Sequence, residues 1–176
     1  MLRPSSVDKV PRTRVRLGLG VVAAVGASSS VTAGFVLFAG AQQKYWSVDL
    51  GLRGDVPGSQ PTAGLSLSSS LLLATVTPCA RLSVVALCGL LAAGGQLGAY
   101  RVAEETRSVA APFFAGGGRV ALEIPWGKPL ERFSVQFHGD VLAAFNRSVL
   151  ESDGVVVGRT PPVSGTFGVS LIGLVR

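Results

Sequence analysis

Trp46-Ser47-Val48-Asp49-Leu50-Gly51-Leu52-Arg53 decides the fold. One parity holds Trp, Val, Leu and Leu, and the other holds Ser, Asp, Gly and Arg. A period of two belongs to a strand and not to a helix. Working outward, the same alternation predicts eight strands, at residues 14–24, 32–41, 45–55, 64–77, 82–101, 109–124, 131–145 and 165–175. In the first, Val15, Leu17, Leu19 and Val21 oppose Arg14, Arg16, Gly18 and Gly20. In the fourth, Leu65, Leu67, Leu71 and Leu73 oppose Ser66, Ser68, Ser70 and Leu72. In the sixth, Phe114, Val120, Leu122 and Ile124 oppose Phe113, Ala115, Gly117, Arg119 and Glu123. In the seventh, Phe133, Val135, Phe137 and Val141 oppose Arg132, Ser134, Gln136, His138 and Asp140. The eighth carries Phe167, Val169, Leu171 and Val175, and the second has no assignable faces.

Alternation alone leaves two answers, a soluble barrel with an apolar inside or a membrane barrel with an apolar outside. Lysine decides between them. The only lysines, Lys9, Lys44 and Lys128, all fall outside the alternating stretches, whereas a strand face meeting water would normally carry them. The polar parity holds small residues and charges of both signs, which suits a crowded lumen. Composition agrees, with 48% apolar residues, 15% charged residues and 23 glycines in 176 positions. The most apolar uncharged run, near residues 84–95, is too short and too rich in glycine for a helix crossing roughly 30 Å of hydrocarbon. The expected architecture is therefore all-β, an eight-stranded antiparallel up-and-down transmembrane β-barrel. An N-terminal tail at residues 1–13 precedes a barrel domain at 14–176.

Turn chemistry supplies an orientation. The connections at Gln42–Lys44, Pro78–Arg81 and Trp126–Leu130 are short. Those after strands three, five and seven are longer, including 57–61 and, longest, Asn146–Ser164. Short periplasmic turns alternating with longer external loops are the expected pattern. Trp46 and Trp126, beside the short turns, are expected in an aromatic girdle at the membrane interface. A lumen charge network is expected from Arg14, Arg16, Asp49, Arg53, Arg119, Glu123, Arg132, His138 and Asp140, because buried charges need partners. Such a network plugs the lumen, and no open channel is expected. Cys79 and Cys88 are too few for a zinc site. Their spacing fits neighbouring strands of a hairpin, and in an oxidising compartment a disulfide is favoured over two buried thiols.

Leu50-Gly51-Leu52-Arg53-Gly54-Asp55-Val56-Pro57, Pro78-Cys79 with Cys88, and Phe137-His138-Gly139-Asp140-Val141-Leu142 resemble small OmpA/OmpX-type outer-membrane barrels of Gram-negative bacteria. The likeness is to a subfamily common in large-genome predatory soil bacteria, and it covers about residues 14–176. It implies the cell outer membrane, contact with outer-membrane lipid, no cofactor and no metal. Two departures stand out. The chain ends Leu174-Val175-Arg176 where that class usually ends in an aromatic residue, and an orthodox cleavable export signal is missing. Residues 17–27 read either as strand one or as the apolar part of a signal cleaved after Val25-Gly26-Ala27, and strand one is preferred because cleavage would leave seven strands.

The formal net charge is +6, from 16 basic and 10 acidic residues. Apart from Arg12, Arg14 and Arg16 the basic residues are scattered and do not interleave with aromatics, so no nucleic-acid partner is expected. Three functions are open. The first is a structural or surface-interaction barrel whose Asn146–Ser164 loop meets an extracellular partner. The second is a lipid-modifying enzyme, an acyl hydrolase or transferase, with His138 as general base. The third is a soluble lipocalin-like carrier. Ser134, His138 and Asp140 share a face but sit about 7 Å apart along one strand, so the sequence selects no nucleophile.

Overall fold

The computed structural model describes residues 13–26, 31–62, 65–102, 105–127, 132–146, 149–152, 155–159 and 162–175. Among them are ten strands: β1 (Arg14–Val25), β2 (Thr32–Gln42), β3 (Trp46–Thr62), β4 (Leu65–Leu82), β5 (Val85–Val102), β6 (Glu105–Pro125), β7 (Phe133–Ala144), β8 (Val149–Ser152), β9 (Val155–Arg159) and β10 (Val163–Val175). Eight of these close into a barrel in the order β1-β10-β7-β6-β5-β4-β3-β2, every pair antiparallel. The hairpin β8–β9 is a separate two-stranded sheet inside the expected 146–164 loop. The expected tail precedes β1 and, apart from Thr13, lies outside the described residues.

Register fixes the shape of the cylinder. One row of paired residues runs Arg14, Gln42, Ser47, Cys79, Cys88, Arg119, Asp140, Thr166 and back to β1 at Ala24. A circuit of eight strands thus shifts the chain by ten residues, which goes with a strand tilt of roughly 35–45° and a lumen that side chains can fill. The row also explains why residues remote in sequence meet inside.

The outer wall is apolar all round. Leu19 is 61% exposed, Leu50 62%, Val120 58% and Phe167 59%, while Arg16, His138 and Ile172 on the opposite parity are almost wholly buried. This is the reverse of a water-soluble barrel. An encircling apolar belt far exceeds the few hundred Å² of contiguous patch that a soluble monomer tolerates, and it matches the outward face of a membrane barrel. Among the described residues no helix is long and apolar enough to cross a membrane.

Several boundaries differ from the sequence expectation. The expected turn at 78–81 is strand: β4 continues to Leu82, and the hairpin turns at Ser83-Val84, where Ser83 takes φ 60°. A positive φ at the first residue of a two-residue turn suits the twist of the flanking strands. Pro78, which has no N–H to donate, sits where the β4–β5 ladder lacks paired positions, between Val76↔Leu91 and Cys79↔Cys88. The expected loop at 57–61 is also strand, joined to β4 after an irregularity between Asp55 and Gly58. With it, the expectation of longer loops after strands three and five gives way to longer strands. β3 to β6 run 17, 18, 18 and 21 residues, against 11 to 13 in the other four barrel strands. About ten residues suffice to span the hydrocarbon, so a four-stranded wall stands beyond the rest of the barrel at the end away from the short turns. In β4 the expected faces are exchanged: Leu73 is inside and Leu72 outside, with Leu71 partly buried. In β2, Thr32, Val36 and Phe38 point inward, and Phe35 and Leu37 outward.

Candidate functional site

Nearly every buried charge lies in the lumen, so the candidate site is built from there. β1, β3, β4, β6 and β7 each contribute one inward polar side chain close to their short-turn ends: Arg16, Asp49, Arg81, Glu123 and Ser134. Glu123 is the hub. Its Oε2 accepts from Arg81 Nη2 at 2.8 Å and lies 3.6 Å from Arg16 Nη2, and its Oε1 accepts from Ser134 Oγ at 2.9 Å. Arg16 also reaches Asp49 at 3.4 Å, donates to Ser47 Oγ at 3.3 Å, and stacks 5.5 Å from the Phe38 ring centre. A second pair follows from the common row. Arg119 of β6 grips Asp140 of β7 through two bonds of 2.7 and 2.9 Å, and Thr166 of β10 donates to Asp140 at 3.0 Å. A third joins Arg53 to Asp55 along β3, bidentate at 2.8 Å. Four arginines thus face four carboxylates, and planar guanidinium forks make this pairing geometrically specific.

Away from the short turns the lumen changes character. Leu73, Leu90, Ala92, Phe113, Ala115 and Leu142 form an apolar cluster, with Leu71 and Ala144 packed against it. A smaller cluster of Val22, Val36, Phe38 and Ile172 lines the β1–β2–β10 side. At Gly117 of β6 a methyl group would run into the Val141 carbonyl, so a side chain there is incompatible with the β6–β7 approach. Ionic and apolar groups share the interior: Arg53 and Asp55 are paired in register with Leu73 and Leu71, and Arg16 stacks on Phe38.

Seven of the nine residues expected in the charge network are buried or partly buried in the lumen: Arg16, Asp49, Arg53, Arg119, Glu123, His138 and Asp140. Arg14 and Arg132 are not. They share the inward parity but lie beyond the last buried layer and are exposed on the rim, a correction to the expectation. Asp55 and Arg81 belong to the network and were not expected. Both carry the inward parity of their strands, but Asp55 stood at the edge of an expected loop and Arg81 in an expected turn. His138 is 2% exposed, packs on Gly168, and neither ring nitrogen has a hydrogen-bond partner among the described residues. Ser134, considered with it as a nucleophile, instead bonds Glu123. Of the serines on other strands, Ser68 falls outside the described side chains, Ser70 is partly buried, and Ser170 is buried with no hydrogen-bond partner for its hydroxyl among the described residues. No group of three metal-ligating side chains occurs among the described residues.

Cys79 and Cys88 are directly opposed on β4 and β5 and joined as a disulfide, with Cα atoms 4.0 Å apart. Trp46 and Trp126 are 42% and 51% exposed beside the short turns. Trp46 Nε1 donates to Gln43 Oε1 at 3.1 Å, and Gln43 Nε2 donates to Thr13 Oγ1 at 2.9 Å, which ties the β2–β3 turn to the approach of β1. Lys44 Nζ sits 4.9 Å from the Tyr45 ring centre, and hydrogen bonding with Tyr45 raises the Lys44 pKa.

No protein-family model matches the sequence, and no curated protein is similar to it. Solved structures are. Ail, the attachment invasion locus protein of Yersinia pestis, is 16% identical with a TM-score of 0.58, over 93% of this chain and 97% of that one. Neisserial surface protein A is 8% identical with a TM-score of 0.55, over 94% and 99%. A major outer membrane protein of Thermus thermophilus is 10% identical with a TM-score of 0.61, over 93% and 100%. At such identities the likeness is one of fold. The chain has the eight-stranded fold of small outer-membrane β-barrels.

Proposed function

We propose that this protein is an outer-membrane barrel with a closed lumen, acting as a structural or surface-contact protein and not as a channel or an enzyme. What supports this reading is the set of four arginine–carboxylate partnerships inside the barrel together with the buried cluster of Leu73, Phe113 and Leu142. Ions crossing it would have to displace charge-assisted bonds and pass buried apolar side chains, and hydrophobic constrictions block conduction by dewetting. The tall β3–β6 wall and the β8–β9 hairpin support external contact, since they place backbone well past the apolar belt. Ail has been crystallised with the heparin analogue sucrose octasulfate. Polyanion binding is not carried over to the external end of this chain, because segments 101–107 and 147–159 hold four basic and four acidic residues. His138 as a catalytic base is not favoured, since it touches no described hydroxyl and is sealed from lipid.

Planar-bilayer recording of the refolded chain tests the closed lumen. The expected result is baseline current without unitary steps. Reproducible steps from the wild-type protein would sink the reading.

A further inference from the structure

The net charge of this chain is unevenly spread along its sequence. Between them, residues 1–14, the β2–β3 turn, 126–132 and Arg176 hold eight basic residues: Arg3, Lys9, Arg12, Arg14, Lys44, Lys128, Arg132 and Arg176. Only Asp8 and Glu131 oppose them there. The described lumen carries four basic and four acidic side chains, and segments 101–107 and 147–159 are likewise balanced in sequence. The formal charge of +6 thus comes from these segments of the sequence, which also contain every lysine in the chain.

The described basic residues of those segments lie at the short-turn ends of the strands. Arg14 opens β1 opposite Gln42, and Lys44 follows in the adjoining turn. Arg132 is fastened to β10 by its carbonyl, which accepts the Leu174 N–H at 2.8 Å. All three are exposed, and no acidic side chain lies among the described rim residues. Directly beside them are Tyr45, Trp46, Trp126 and Phe133, each at least two-fifths exposed. Both tryptophans of the chain are among these four. Amphipathic rings of this kind settle at the headgroup level of a bilayer.

We infer that this rim is a binding surface for anionic phospholipid headgroups of the leaflet that faces the periplasm. The inference rests on the orientation given under Proposed function. A cation next to an anionic membrane surface contributes attraction that corresponds to roughly a fivefold preference, and it weakens as salt shortens the Debye length. Three cations fixed by strands and turns, with aromatic rings setting their depth, collect phosphodiesters from the surrounding leaflet. The same side chains are absent from the lipid belt and have no acidic neighbour among the described rim residues, which a general solubilising role would not require.

Trp46 and Trp126 report on the site themselves. The full chain is refolded into phosphatidylcholine vesicles containing increasing brominated phosphatidylglycerol, or brominated phosphatidylcholine as reference, and tryptophan quenching is followed. The wild type is expected to prefer phosphatidylglycerol by about tenfold or more at low salt, with the preference falling as salt rises. The R14Q/K44Q/R132Q variant is expected to lose it. The R101Q/R107Q/R159Q variant removes as many charges from β5, β6 and β9 and is expected to retain it, and heat-modifiable gel migration establishes that both variants fold. Equal quenching by the two lipids in the wild type, or an unchanged preference in R14Q/K44Q/R132Q, would overturn the inference. So would lipid-independent quenching combined with rim-dependent sedimentation on purified peptidoglycan, which would transfer the surface to the wall polymer. Orientation is read separately by labelling K44C on intact cells with a membrane-impermeant maleimide. Protection is expected; labelling would refute the periplasmic placement even if the lipid preference held.

Discussion

Asp140 shows at the scale of one residue how the lumen is held. It accepts two bonds from Arg119 and one from Thr166, and it is almost wholly buried. Removing one partner of a buried pair strands the other charge, whereas removing both with apolar replacements of similar size is far less costly. D140A is therefore expected to destabilise the barrel by about 3–5 kcal/mol. The R119M/D140L double variant is expected to recover most of that loss. Urea titration of the refolded proteins in lipid vesicles, followed by tryptophan fluorescence, checks both. A double variant as unstable as D140A would mean that the pair contributes more than mutual neutralisation. The pairing of Arg119 with Asp140 was half legible: parity placed both inside, but only the register of β6 on β7 makes them direct neighbours. Arg14 and Arg132 show the opposite limit, because parity says which way a side chain points and not whether another layer lies beyond it.

At the scale of the element, the β4–β5 hairpin joins a strained turn to a covalent tie. Its register runs from Ser66↔Arg101 to Leu82↔Val85 and carries Cys79 directly opposite Cys88. A cross-link closing a loop of this length restricts the unfolded chain by about 2–3 kcal/mol in the entropic account. The C79S/C88S variant is expected to fold into the same barrel and to show a urea midpoint lower by the corresponding amount. An unchanged midpoint would indicate that the unfolded hairpin is already ordered without the bond. The disulfide was legible from the hairpin spacing together with an oxidising compartment, yet the turn it braces was not. Proline at 78 outweighed the alternation of Thr77, Cys79 and Arg81, all inward, and so hid Arg81 from the expected network. The same preference for proline and glycine as breakers turned 57–61 into a loop and shortened β3. In β4 the serine-rich face looked like the lumen, but Leu73 is drawn inside by Leu90, Phe113 and Leu142 from three other strands. No local pattern carries that information.

At the scale of the whole molecule, every barrel contact but one joins strands that follow one another around the chain, counting β7 and β10 as consecutive. The exception is β1 with β10, which closes the cylinder through eleven paired positions from Val15↔Val175 to Val25↔Gly165. Open edges in hydrocarbon leave backbone N–H and C=O groups without partners, each costing several kcal/mol. Closure is thus a condition for the fold and not a late refinement. The β8–β9 hairpin, by contrast, pairs only with itself. The even count of eight and the apolar exterior were legible because they are repeated in every strand, so single errors of boundary could not undo them. These two observations give opposite expectations for two deletions of similar size. Removing residues 163–175 is expected to abolish heat-modifiable migration, because β1 and β7 are both left as edges in lipid. Replacing residues 147–161 by a short Gly-Ser linker is expected to leave a barrel that still shifts on boiling and remains embedded in vesicles. Loss of the folded band in the loop replacement would show that the hairpin segment takes part in closing the barrel, while a folded band without β10 would mean that seven strands can seal by themselves.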